Sequence, residues 1–313
     1  MAIPTILVFG ATGKIGGALL DALLPDHAAG RVKLVAAVRR PDAAPAFEAR
    51  GIEARLIDLD LAETRGLEPL VGALRGVDRV FLLTGYDVKM IAQSKAAIDA
   101  ARAAGASQIV HLGVHASPDT TIVHFAWHQV VEAYLDRSGV DATHLRPTSF
   151  MQNLPLLLQV GGGEPGVLRH YIGDAQTSWI DTGDIARVAA VVLREPKAHA
   201  GRAYGLGTEA ASMPEIAALI AAVTGLPWRY EAREPAEFLR AMTALGADPV
   251  YMACVRNVFE RTRNGSLKDA ADTFDTVQRV TGRAPITLRE YVEKNRAVFS
   301  YEGRPGDRRI ETA

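Results

Sequence analysis

Gly10, Gly13 and Gly16 recur every third residue between the apolar run Ile6–Phe9 and an alanine- and leucine-rich stretch. Glycines so placed allow a tight turn at Gly10, approach of a pyrophosphate to the backbone at Gly13, and close helix-on-strand packing at Gly16. The helix that follows would offer its N-terminal amides and partial positive charge to the anion. The loop Gly10, Thr12, Gly13, Lys14, Ile15 and Gly16 is therefore the candidate phosphate cradle. Further on, Val38-Arg39-Arg40-Pro41 stands where a carboxylate would hold an adenosine ribose 2′-hydroxyl and repel a 2′-phosphate. A guanidinium grips phosphate in a bidentate way, so Arg39, helped by Lys14, favours NADP(H) over NAD(H). Asp42 lies too far beyond the strand to be the ribose ligand.

A second set of reactive side chains lies in His124-Phe-Ala-Trp-His128-Gln-Val-Val-Glu132. Four-residue spacing puts both histidines on one helical face. Three readings stay open: a pair facing cofactor and substrate, a packing pair, or a metal site with Glu132. The last lacks the Glu of a His-Glu-x-x-His motif, and one cysteine, Cys254, gives no ligand cluster, so no metal is expected. His111, His115 and Ser117 flank the end of an apolar run, and His115 and Ser117 are weaker candidates there.

The elements needed to position these groups are legible as alternation. Ile6–Phe9, Lys33–Val38, Ala54–Asp58, Arg79–Leu83, Gln108–Leu112 and Ala142–Leu145 read as strands apolar on both faces. Helical patterns fall at 14–24, 64–75, 88–104 and 121–137, with Pro25, Gly76, Gly105 and Gly139 as stops. Only 38–54 lacks a strong helix. The fold class is α/β, a doubly wound parallel Rossmann sheet ordered 3-2-1-4-5-6, with a smaller, mostly helical C-terminal domain. After Pro147 come a loop at Gly161–Gly163, a strand at Thr177–Ile180 and a helix at Thr182–Arg194. A strand at Trp228–Arg233 precedes two or three helices, and capping boxes open helices at Ser212 and Thr287. The expected domains are 1–155, with 182–205 returning to the sheet, and a substrate-side domain of 156–181 and 206–313. The tail from Gly303 reads as loose.

Thr143-His-Leu-Arg146-Pro147-Thr-Ser-Phe150-Met-Gln-Asn153 and Asp181-Thr-Gly-Asp184-Ile-Ala, together with the Gly-Ala-Thr-Gly loop, resemble the NmrA-like branch of the atypical short-chain dehydrogenase/reductases. The resemblance covers about the first 155 residues, extends through 181–186, and is only general texture beyond about 205. It implies that Arg39 is the discriminating cofactor residue, that Asp58 and Leu59 flank the adenine, and that Thr84 and Gly85 pass the ribose and diphosphate. It places the Pro147 backbone near the carboxamide and His128 where the family carries a lysine beside the nicotinamide ribose. His124 would take the tyrosine's place nearer the substrate. None of the eight tyrosines has a lysine four residues later, so the usual Tyr-x-x-x-Lys pair is absent. Phe150, Met151, His115 and Trp127 are candidate pocket residues, drawn from a wider set that adds Phe125, Trp179, Tyr251 and Met252. Asn153 is a candidate for ordering the loop after the sixth strand.

The chain has 313 residues, 48% hydrophobic, with a net charge of −1. That balance argues against a nucleic-acid surface, and the apolar runs are too short for a membrane span. A reducing, cytoplasmic setting is expected, with a small-molecule substrate and a possible homodimer. The reading that follows is an NADPH-dependent reductase of a small electrophile (quinone, enone, carbonyl or imine) bound in a cleft between the two domains. The resemblance also implies a rival, a non-catalytic NAD(P) redox sensor, and the same fold could serve a non-redox isomerase or cyclase.

Overall fold

A computed structural model describes residues 3–85, 87–160 and 164–300, the side chains of 159 and 160 excepted. In chain order the principal elements are β1 (Thr5–Val8), α1 (Lys14–Ala28), β2 (Lys33–Val38), β3 (Glu53–Leu56), β4 (Arg79–Leu82), α2 (Met90–Ala103), β5 (Gln108–Leu112), α3 (Val123–Asp136) and β6 (Asp141–Pro147). Then follow β7 (Ser149–Phe150), β8 (Val167–His170), β9 (Gln176–Ile180), α4 (Thr182–Arg194), β10 (Arg202–Leu206), β11 (Glu209–Ser212), α5 (Met213–Thr224), β12 (Arg229–Ala232), α6 (Pro235–Ala244), α7 (Pro249–Arg263) and α8 (Leu288–Lys294).

Two compact units divide the chain. The first contains residues 1–114, 125–146 and 185–204; the second contains 115–124, 147–184 and 205–313. The first unit is built on a seven-stranded sheet ordered β10-β6-β5-β4-β1-β2-β3. Its first six strands are in the expected 3-2-1-4-5-6 order, and their pairings are parallel. The seventh strand, β10, was not expected, because its short Arg202–Leu206 run gives a weak alternation signal. β1 is wholly buried, and it pairs with both β2 and β4. The strand order reverses beside it, which is where open α/β sheets hold ligands at the carboxyl ends of their strands.

Two helix expectations need correction. α1 does not stop at Pro25 but runs through it to Ala28. Leu19, Leu20 and Leu23 are fully buried, and Asp26 holds Arg31 and Arg194, so packing outweighs the missing amide. The pattern at 64–75 is broken rather than continuous: Gly66 has φ +72°, separating the turn Ala62–Arg65 from Glu68–Ala73. Residues 41–48 form the short irregular helical pieces expected there.

The second unit has its own core, including Met151, Leu154, Trp179, Met213, Ile220, Leu288 and Phe299. Both capping boxes are present, Ser212 with Glu215 and Thr287 with Glu290. Helices dominate its C-terminal part, with more segments than the two or three expected after β12. The expected loop at Gly161–Gly163 and the tail from Gly303 lie outside the described residues. Among the described residues, no helix is long and apolar enough to cross a membrane.

His170, at the end of β8, is buried against Tyr171 and Phe259, and its Nδ1 has no hydrogen-bond partner. Burial pushes its pKa down to about 3. The unfolded chain, with histidine near 6.5, therefore binds the proton that the folded chain refuses. Stability from this group is complete above pH 6.5 and is lost as pH falls from there toward 3, by up to ~1.4 kcal/mol per pH unit. Urea midpoints measured from pH 7 to pH 4 should fall less steeply in His170→Phe than in the wild type; parallel curves would refute this.

Candidate functional site

β1 ends in a turn that only glycine fits. Gly10 has φ +67°, and a Cβ on it would stand 2.7 Å from Leu83 Cδ2. A Cβ on Gly16 would stand 2.2 Å from the Gly10 carbonyl oxygen, far inside contact distance. The start of α1 is thus pressed against the turn before it. Gly13 is the N-cap, no side chain caps the helix, and its first turn holds no acidic residue. An uncapped, acid-free helix start at a sheet's switch point suits a phosphate, and Thr12 and Lys14 are exposed beside it while Ile15 is buried beneath.

Arg39 and Arg40 are both exposed at the end of β2. Arg40 approaches Asp42 at 3.4 Å, whereas Arg39 has no ion pair among the described residues. Asp58 uses its carboxylate to accept from the Asp60 amide at 3.0 Å, and Leu59 packs on the first unit's core. Thr84 is partly exposed just past β4, and Gly85 is exposed.

The two histidines of α3 find different neighbours. His124 is buried with its ring 5.3 Å from that of Tyr251, in the second unit. His128 belongs to the first unit, its Nδ1 3.5 Å from His111 Nε2. Burial lowers the pKa of His128 to about 4, so it is neutral near pH 7 and has one N–H to give. His111 is held well below the usual histidine value, chiefly by burial. The Pro147 carbonyl accepts the His115 amide at 2.8 Å, and His115 Nε2 meets Asp272 at 2.9 Å while the ring sits edge-on to Phe274. The Ser117 hydroxyl donates to Asp119, and its amide to Asp269.

Among the pocket candidates, Phe150 and Trp127 are partly buried. Met151 is instead fully buried in the second unit's core together with Trp179, so both are packing residues in this structure. Asn153 is exposed, and its neighbour Gln152 orders the loop, donating to Asp181 at 2.7 Å and accepting from the Thr182 amide at 3.0 Å.

The largest surprise is a polar cluster in the first unit. Glu132 is buried and takes a three-contact ion pair from Arg146, with Nη2 2.5 Å from Oε2. His111 and His144 are paired across β5 and β6. No linear motif shows this, because the four residues come from two strands and a helix. The clue available in sequence was a polar residue recurring inside otherwise apolar strands.

Residues 3–291 match the model of the NmrA-like family. The chain belongs to that family. NmrA-like relatives include an NAD(P)H azoreductase of Xenophilus azovorans, 32% identical over 296 residues and covering 94% of this chain and 99% of its own. A (4-alkanoyl-5-oxo-2,5-dihydrofuran-3-yl)methyl phosphate reductase of Streptomyces griseus is 33% identical, over 95% of this chain and 100% of its own. Among solved structures, an Escherichia coli NADPH-dependent quinone oxidoreductase complexed with NADPH superposes with a TM-score of 0.77 at 26% identity, covering 93% of this chain and 99% of that one.

Adding one methyl at the tightest point tests the cradle. Gly16→Ala must push α1 away from Gly10, and nucleotide affinity should fall at least tenfold with the far-UV circular dichroism spectrum retained. Unchanged affinity would show that this contact does not shape the cradle.

Proposed function

We propose that this NmrA-like protein is an NAD(P)H-dependent oxidoreductase, specifically an NADPH-dependent reductase of a small organic electrophile such as a quinone, enone, carbonyl or imine. The observation that carries the reading is the glycine turn pressed against an uncapped helix start at the sheet's switch point. The relatives, reductases matched over nearly their whole length, support the same reading.

When bound, the reduced nicotinamide supplies a hydride. The chain's own work is placement. The Gly10–Gly16 loop and the α1 amides hold the diphosphate, and Asp58, Leu59, Thr84 and Gly85 flank the adenosine side. Arg39, with Lys14, takes the 2′-phosphate and so selects NADPH over NADH. His128 stays neutral and donates one hydrogen bond toward the nicotinamide ribose, and the Pro147 backbone borders the carboxamide. The proton that completes reduction comes from His124 or from solvent. Phe150, Trp127 and His115 border the substrate.

One observation favours the sensor as a second reading: no Tyr-x-x-x-Lys pair is present, and the buried, neutral His128 can donate a hydrogen bond but is a poor general acid near pH 7. A sensor would bind oxidised and reduced cofactor with unequal affinity and turn over no acceptor. The deciding experiment follows nicotinamide fluorescence during titration with NADPH and NADH, on the wild type and Arg39→Ala, and then screens quinones, enones and imines for NADPH oxidation. NADPH should bind at least tenfold tighter, Arg39→Ala should erase the difference, and at least one acceptor class should be reduced. Equal affinities would remove Arg39 from its role; binding without any turnover would leave the sensor.

A further inference from the structure

His111 on β5 and His144 on β6 are register partners, and both are buried, 2% and 4% exposed. Glu132, from α3, is 5% exposed. One ligand atom from each of the three lies within 4.8 Å of the others, the one such group among the described residues. It differs from the His124, His128 and Glu132 set that helical spacing alone suggests.

The unpaired atoms matter most. Nδ1 of His111 and Nδ1 of His144 are both buried with no hydrogen-bond partner. A buried polar nitrogen left unmatched is costly, and such exceptions call for an explanation. The other nitrogen of each ring is engaged. His144 Nε2 lies 2.8 Å from Asp136 Oδ1, and a carboxylate there accepts the ring proton, leaving Nδ1 as a lone pair. His111 Nε2 lies 3.5 Å from His128 Nδ1. A carboxylate behind a histidine that turns its free nitrogen inward is how metal-binding histidines are oriented. Arg146 orients Glu132 in the same way, donating to both oxygens.

There is also room. Gly113 follows β5, and a Cβ on it would stand 2.9 Å from Glu132 Oε1 and 3.3 Å from His111 Cε1. Any larger residue would press on two of the three groups. Ligand atoms about 2.1 Å from a tetrahedral zinc ion stand about 3.4 Å from one another, so side-chain rotations would have to draw the three atoms together to close the set.

We propose that His111 Nδ1, His144 Nδ1 and a Glu132 oxygen form a buried binding site for a divalent transition-metal ion, zinc being the best match to two imidazoles and a carboxylate. The ion joins α3 to β5 and β6, a structural tie apart from the phosphate cradle. The Arg146 charge opposes it and keeps its affinity modest.

The test titrates the metal-stripped full chain with Co(II), whose visible absorption reports coordination, and then displaces it with Zn(II). One equivalent should bind with new visible bands and raise the melting temperature. His144→Gln and Glu132→Gln, checked for fold by circular dichroism, should each weaken Co(II) at least tenfold. Absence of stoichiometric uptake, or uptake indifferent to both substitutions, would overturn the site. Should either variant fail to fold, long-range ¹⁵N–¹H spectra of the wild-type histidines decide: Zn(II) must shift two Nδ1 resonances, and spectra without that change reject the proposal.

Discussion

The contact between Gly16 and the Gly10 carbonyl governs much of the first unit. With a hypothetical Cβ only 2.2 Å from that oxygen, no side chain can stand at position 16 in the first turn of α1. The helix therefore starts directly after β1, with its amide-rich end at the strand's carboxyl terminus. Everything downstream inherits this geometry. Leu19, Leu20 and Leu23 are then carried into the core, and their burial holds α1 together past a proline that would otherwise end it. From the opposite side, Leu83 beyond β4 closes on Gly10, so the turn is gripped between two strands' ends.

How much of this was readable in the chain depends on whether the signal was local. Strand order, the glycine turn and two helix starts were legible because each rests on a short run: β-branched stretches for strands, glycines at fixed offsets for the turn, and Ser212 or Thr287 for the helix starts. Gly66 was the one local signal misjudged within 64–75, since a positive-φ glycine divides a stretch that composition alone would let run on. Met151 was misplaced for a different reason. An apolar side chain suits a pocket wall and a core equally, and only the packing against Leu154 and Trp179 settles which.

The cluster around Glu132 was illegible for a third reason. His111 and His144 lie 33 residues apart, and nothing in either neighbourhood announces the other. Parallel pairing of β5 with β6 makes them neighbours, and α3 then lowers Glu132 onto them. Burying a carboxylate is expensive unless a cation answers it, and Arg146, two residues beyond His144, does so from the same strand. Polar residues within apolar strands thus mark places where side chains distant in sequence must answer one another's charge.

The sheet's other rim has a consequence of its own. β3 is an outermost strand, and Leu56 on it is 59% exposed. A bare strand of this kind is a template for pairing with another molecule, the first step toward aggregation. Here the rim carries Glu53 and Arg55, joined at 2.6 Å, and Arg55 also donates to the Ala73 and Arg75 carbonyls. An incoming strand would have to bury or break this charged clasp. The same pair that staples the rim to the neighbouring segment therefore acts as a gatekeeper against misassembly at this edge of the sheet.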